Sequence, residues 1–412
     1  MFANKEKIVE RFLKYVSFDT QADGKSATVP STLKQLDLAR FLVDEMINLG
    51  LEDVKLSEFG VVTGKLKGNV SHSVPTIGFL AHMDTSPDMS DTDTKPKRMV
   101  YQGGDVELNS EGPIILSAKE FPEILPYVGQ EIIFTDGTTL LGADDKAGIA
   151  AILSAVEYLI AHPEMPRGDL CFGFTPDEEV GRGVNYFDVP DFGADFAYTI
   201  DGGPVGAIEY ENFNAANVVI TIQGRNVHPG SSKNKMINSL SIATELQKML
   251  PEAQKPEYTE EYEGFFHVNS IHGNVEQTKM EMLIRDHDRV KFEAKKAYLK
   301  EVESFLNKKY GAEIVSADIK DMYFNMREKI EPMMYIVDLA KEAMGNLGIT
   351  PRTTPVRGGT DGSRLSFMGL PCPNIFTGGH NFHGKFEFLP IESLVKSAAV
   401  VAEIATLVAK KK

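Results

Sequence analysis

Five short clusters in this 412-residue chain hold groups able to bind cations or to move protons. In the first, His82-Met83-Asp84, alternation along a strand end puts the imidazole and the carboxylate on the same side. The imidazole could bind a metal while the carboxylate takes its other N–H and sets the tautomer. A structural histidine beside an acid is the plainer account. The second cluster, Gly142-Ala143-Asp144-Asp145-Lys146-Ala147-Gly148, precedes a helix, where an aspartate commonly caps free N–H groups. Only one of the two acids can do so, and small neighbours would let the other span two cations. The third, Thr175-Pro176-Asp177-Glu178-Glu179-Val180-Gly181, carries three successive acids that repel one another unless water or cations neutralise them. One glutamate could ligate metal while its neighbour, pointing the other way, handles protons; exposed loop acids would look the same in sequence.

Asp201, followed by Gly202-Gly203, is a fourth candidate ligand and equally a turn signal. The fifth cluster is His380-Asn381-Phe382-His383-Gly384-Lys385-Phe386-Glu387, in which either histidine could reach a metal. Taken together, His82, Asp144, Glu179, Asp201 and His383 form a mixed nitrogen and carboxylate set, which suits zinc better than cobalt or manganese. Other templates are excluded by spacing: the chain has no HExxH, no GxSxG, no P-loop and no dinucleotide fingerprint. Arg357, in VRGGTDGS, could clamp a substrate carboxylate bidentately or make an ordinary surface ion pair.

These clusters need elements to hold them. Ile8, Val9, Phe12, Leu13 and Val16 repeat at helical spacing, and Thr76 to Ala81 reads as a buried strand. Further strands are predicted at Leu170 to Phe174 and Ala194 to Ile200, with a helix around Ala147 to Ile160 between them. The alternation implies an α/β fold with a mainly parallel sheet flanked by helices. His82, the TPDEE run and Asp201 then follow strand carboxyl ends, where open α/β sheets place ligands.

The middle of the chain reads as strand Asn217 to Gln223, helix Asn238 to Leu250, strands Phe265 to Ile271 and Lys279 to His287, helix Arg289 to Tyr310, and strand Glu313 to Tyr323. That β-α-β-β-α-β order is a ferredoxin-like α+β unit. The expected organisation is therefore a discontinuous catalytic domain, 1–212 and 324–412, interrupted by an inserted lid domain, 213–323. The later part predicts a helix ending at Leu347, a Gly-rich loop over Arg357 to Gly362, a strand near Asn374 to Phe376 and a closing helix from Ile391 to Ala409.

Acidic residues outnumber basic ones, 59 to 43, and the net charge of -16 would repel a phosphate backbone or an anionic bilayer. Neither nucleic acid nor membrane is an expected partner. Cys171 and Cys372 lie in apolar runs, too few for a disulfide framework. With a charged amino terminus and no long apolar stretch, a cytoplasmic location is expected.

The segments GADDKAG, TPDEEVGRG, YTIDGGPVGAIEYENFNAA, NVHPGSSK, RGGTDGSRLS and PNIFTGGHNFHGKFEF resemble those of the co-catalytic zinc exopeptidases, the family that includes carboxypeptidase G and aminoacylase. Within that family the chain resembles the tripeptide aminopeptidases. The resemblance implies a di-zinc centre, two ions per subunit, releasing the amino-terminal residue from tripeptides. It places His82 and Asp201 on one ion, Glu179 and His383 on the other, and Asp144 between them. His383 rather than His380 matches because the family histidine stands four residues before a glutamate, here Glu387. The resemblance further implies that Asp84 orients His82, that Glu178 is the general base, that His228 approaches the scissile carbonyl from the lid, that Arg357 lies near the substrate, and that the Asp144–Asp145 peptide bond is cis. A homodimer is a possible assembly in such a family. A related dipeptidase or N-acyl amino acid deacylase would share the metals and base, and a peptide-binding module without turnover is the non-enzymatic alternative.

Overall fold

The computed structural model describes residues 5–110 and 112–411. Residues 1–4, at the head of the charged amino-terminal stretch, and Lys412, last of the terminal lysines, lie outside the described residues. The chain divides into two compact units, one of residues 1–210, 328–354 and 360–412, the other of residues 211–327 and 355–359.

In the first unit, eight strands form one mixed sheet in the order Glu52–Leu56, Val62–Leu66, Leu170–Thr175, Ile77–His82, Phe196–Gly202, Asn374–Phe376, Ala207–Glu209 and Arg352–Thr353. The centre of that sheet is parallel, Leu170–Thr175 beside Ile77–His82 beside Phe196–Gly202 beside Asn374–Phe376. Ile77–His82 and Leu170–Thr175 are buried at every residue, as strands covered on both faces must be. The helix Ala143–Ala161 packs on this sheet and against the closing helix Ile391–Lys410, and both are apolar enough to be buried along most of their length. Two smaller antiparallel assemblies accompany the sheet: Phe388–Pro390 with Glu131–Phe134 and Lys97–Val100, and Val106–Asn109 with Ile114–Leu116. Their apolar residues, among them Leu108, Leu116, Phe134 and Phe388, form a satellite core with Ile124 of the turn Pro122–Tyr127.

The second unit is a four-stranded antiparallel sheet in the order Phe265–Gly273, Gln277–Asp286, Asn214–Gln223 and Val315–Tyr323. Along Gln277–Asp286 the even-numbered side chains are buried, the period of two that a sheet covered on one face requires. Met280, Met282 and Ile284 from that strand meet Ile242 and Leu246 of helix Ser239–Met249, and Phe292, Leu299 and Val302 of helix Arg289–Tyr310. Asn238 and Asp288 cap those two helices by accepting backbone N–H bonds from Leu240 and Lys291.

The elements read from periodicity occupy nearly the expected ranges. One difference is local: the loop expected over Arg357 to Gly362 ends early, because Thr360 accepts the Ser363 N–H and starts helix Asp361–Phe367. No described helix is long and apolar enough to cross a membrane.

Candidate metal centre

Parallel pairing in register brings the first, third and fourth clusters to one end of the large sheet. His82 ends its strand opposite Thr175, and Phe196–Gly202 runs alongside on the other flank, so His82, the loop after Thr175, and Asp201 share one end. Helix Ala143–Ala161 enters at the same end, closely enough that a Cβ on Gly148 would stand 2.0 Å from the Ile200 carbonyl oxygen. Only glycine permits that approach, and it is what carries Asp144 to the strand ends. The Asp144–Asp145 peptide bond is cis. His383 arrives from the loop between Asn374–Phe376 and Phe388–Pro390 with φ +64.

The two oxygens of Asp144 face different partners. Oδ1 is 3.0 Å from His82 Nε2, which is itself 3.5 Å from Asp201 Oδ1. Oδ2 is 3.4 Å from His383 Nε2, which is 3.0 Å from Glu179 Oε2. Ligand atoms about 2.05 Å from a tetrahedral ion stand about 3.3 Å from each other, so both groupings match the spacing around a zinc-sized cation. Each histidine also has its Nδ1 engaged elsewhere, His82 with the Asp84 carbonyl at 3.0 Å and His383 with Asp88 Oδ2 at 3.3 Å. With the proton on Nδ1, the Nε2 lone pair is free to coordinate. Glu179 Oε1 is buried with no hydrogen-bond partner, an orphaned acceptor that a cation would satisfy. Taken together, the donor set, the spacing and this orphan fit a pair of divalent ions.

The electrostatics point the same way. Burial pushes Glu179 up to about 7, helped by Asp144, and Asp201 up to about 6. Burial also raises Glu178 well above the carboxylate range, with Asp201, Asp361 and Glu179 adding to it. Asp144 is the exception: burial opposes its charge, but His383 and His82 outweigh burial and hold it below the usual range. His383 rises to about 11 through its bonds to Asp144 and Glu179. Protons are thus standing in for the positive charge that this cluster of acids requires.

Several assignments become specific only here. Asp84 meets His82 mainly through its backbone carbonyl; its carboxylate, 3.4 Å from the ring, instead accepts the N–H of Glu178 at 3.0 Å and of Glu179 at 3.1 Å, one on each oxygen. Asp177, with φ +58, is buried and accepts from the Ser31 N–H at 2.6 Å and from Gln35 Nε2 at 2.8 Å, tying the acidic loop to the segment before helix Gln35–Asn48. Asp145 groups with His82 and Asp201 in space, yet its oxygens accept the backbone N–H of His82 and of Gly148. His380 lies away from the acids: its Nε2 is hydrogen-bonded with Tyr127 Oη at 2.7 Å, its ring stacks on Phe388, and burial lowers it to about 4.

Two candidates belong to the second unit. His228 is exposed at the turn Pro229–Ser231, and its Nδ1 accepts the Gly230 N–H, which leaves the neutral ring's hydrogen on Nε2. Arg357 is occupied, donating through Nη1 to the carbonyls of Glu261 and Glu263 and through Nη2 to Thr259, with its guanidinium over Phe213 and Phe265. The hydrogen bonds that Asp177 and Glu387 make were not read from the sequence. The signal available for Asp177 was its place as first of three acids, and for Glu387 its spacing from His383.

Residues 141–407 match the model of peptidase family M20/M25/M40. The chain is similar to Peptidase T of Caldanaerobacter subterraneus subsp. tengcongensis, 57% identical over 406 residues that cover 98% of this chain and 99% of the relative. It is 55% identical over 408 residues to Peptidase T of Geobacillus thermodenitrificans, covering 99% of each. Among solved structures it resembles the aminopeptidase PepT from Bacillus cereus, with a TM-score of 0.77 and 25% identity over 98% of this chain and 99% of that one.

Proposed function

Since the chain belongs to peptidase family M20/M25/M40, we propose that this metallopeptidase is a tripeptide aminopeptidase that releases the amino-terminal residue with the help of two zinc ions. The name and near-complete overlap of the Peptidase T relatives support the reaction. One observation carries the centre: the two oxygens of Asp144 divide between His82 with Asp201 and His383 with Glu179. On this reading His82 and Asp201 would hold one ion, Glu179 and His383 the other, and Asp144 both.

When bound, such ions supply Lewis acidity, which acidifies water and stabilises the oxyanion of a tetrahedral intermediate. Glu178 takes the proton of the attacking water and delivers it to the departing amine. A half-buried carboxyl with a raised proton affinity suits both halves of that transfer. Asp84 holds the Glu178 and Glu179 backbone in place through its two N–H bonds, so that the base and the adjacent ligand diverge from a fixed point. His228 donates from Nε2 to the developing oxyanion, a role that its tautomer allows. Arg357 would have to exchange its carbonyl partners to bind the carboxylate end of a peptide.

The test is metal content and hydrolysis of Ala-Ala-Ala, Ala-Ala and N-acetyl-alanine, before and after chelation. Two ions per chain, with chelation-sensitive cleavage of the tripeptide, is the expected result. Preference for Ala-Ala or N-acetyl-alanine would move the protein to a dipeptidase or deacylase, and a loaded protein inert to all three would reject catalysis.

A further inference from the structure

Glu387 is 1% exposed, and its carboxylate is wrapped by the turn that presents Asp144. Oε2 accepts the N–H of Leu141 at 2.6 Å and of Gly142 at 2.8 Å, and Oε1 accepts the N–H of Asp144 at 3.1 Å. Three backbone donors converge on one side chain because Gly142 takes φ +80, a left-handed conformation that turns consecutive amides to the same side. Glu387 is anchored just as firmly at its own end. His380 and Phe388 exchange backbone hydrogen bonds, making residues 380–388 a closed loop. Phe388 is fully buried in the satellite core, and Asn381 Nδ2 braces the loop by donating to the Phe386 carbonyl.

The same loop therefore grips the Asp144 turn through Glu387 and offers His383 to Asp144 Oδ2, 3.4 Å away. We propose that Glu387 is a positioning residue: its carboxylate sets the separation between Asp144 and His383, and so sets the affinity for the ion that those two would share. This rests on the ligand assignment proposed above. Glutamine keeps the size but turns one acceptor into an NH2 group that faces backbone N–H donors, so at least one of the three bonds is lost.

The experiment is calorimetric titration of metal-free wild type and E387Q with zinc, together with steady-state kinetics and amide hydrogen exchange. Outer partners of this kind typically change metal affinity about 10- to 100-fold. Wild type should bind two ions; E387Q should bind one of them at least about tenfold more weakly, with kcat reduced and KM nearly unmoved. In the metal-free state, the Leu141 and Gly142 amides should exchange faster in E387Q than in wild type, a readout independent of activity. Should E387Q not fold, E387D, too short to reach all three donors, must show the same weakened ion and faster exchange. Wild-type affinity for both ions in the folded variant overturns the inference alone. A wild type that binds no ion overturns this inference and the proposed function together.

Discussion

Acidification from about pH 7 to about pH 4.5 should remove about 2 to 3 kcal/mol of folding stability through His380 alone. Burial lowers this imidazole from its ordinary 6.5 to about 4, so the folded protein holds the ring neutral. Between those two values the unfolded chain binds the extra proton and the folded chain does not, so stability is complete above 6.5 and is lost as pH falls through about 4. At about 1.4 kcal/mol per pH unit between those two values the ceiling is about 3 kcal/mol, a little under half of which has gone by about pH 5.5. Glu179 and Asp201, raised to about 7 and about 6, act in the opposite sense, because there the folded state holds more protons. The informative quantity is thus the difference between wild type and His380→Gln. Urea unfolding of both metal-free proteins at several pH values should give a steeper acid loss in wild type, by about 2 to 3 kcal/mol at about pH 4.5. Parallel pH profiles would refute the claim that this ring is held neutral by burial.

Glu178→Gln should lower kcat by about 100-fold or more while both ions stay bound; loss of metal in that variant would demote Glu178 from proton carrier to ligand. His228→Ala should cut kcat by about 100-fold with unchanged metal content and little change in KM, and an unaltered kcat would remove His228 from the reaction. If Arg357 anchors the free carboxylate of a peptide, amidated tripeptides should show a KM raised about tenfold or more over free ones, and equal kinetics would leave Arg357 a structural residue of its own unit.

Helical and strand periods need only local sequence, which is why helix Arg289–Tyr310 and the six-element order of the second unit could be read directly. The acidic and histidine clusters were visible for a similar reason, since each directly follows a strand or starts a helix. Their division of labour was not visible, because it depends on segments hundreds of residues apart. Asp177, Glu178 and Glu179 are chemically alike in sequence; folding gives the first to Ser31 and Gln35, raises the proton affinity of the second among neighbouring acids and sets the third beside His383. His380 and His383 are separated only when Tyr127 and Phe388 bury one ring and the acids take the other. Composition and periodicity report what each segment prefers by itself, whereas a ligand's role depends on hydrogen bonds and charges that exist only once the end of the sheet has brought distant loops within a few ångströms.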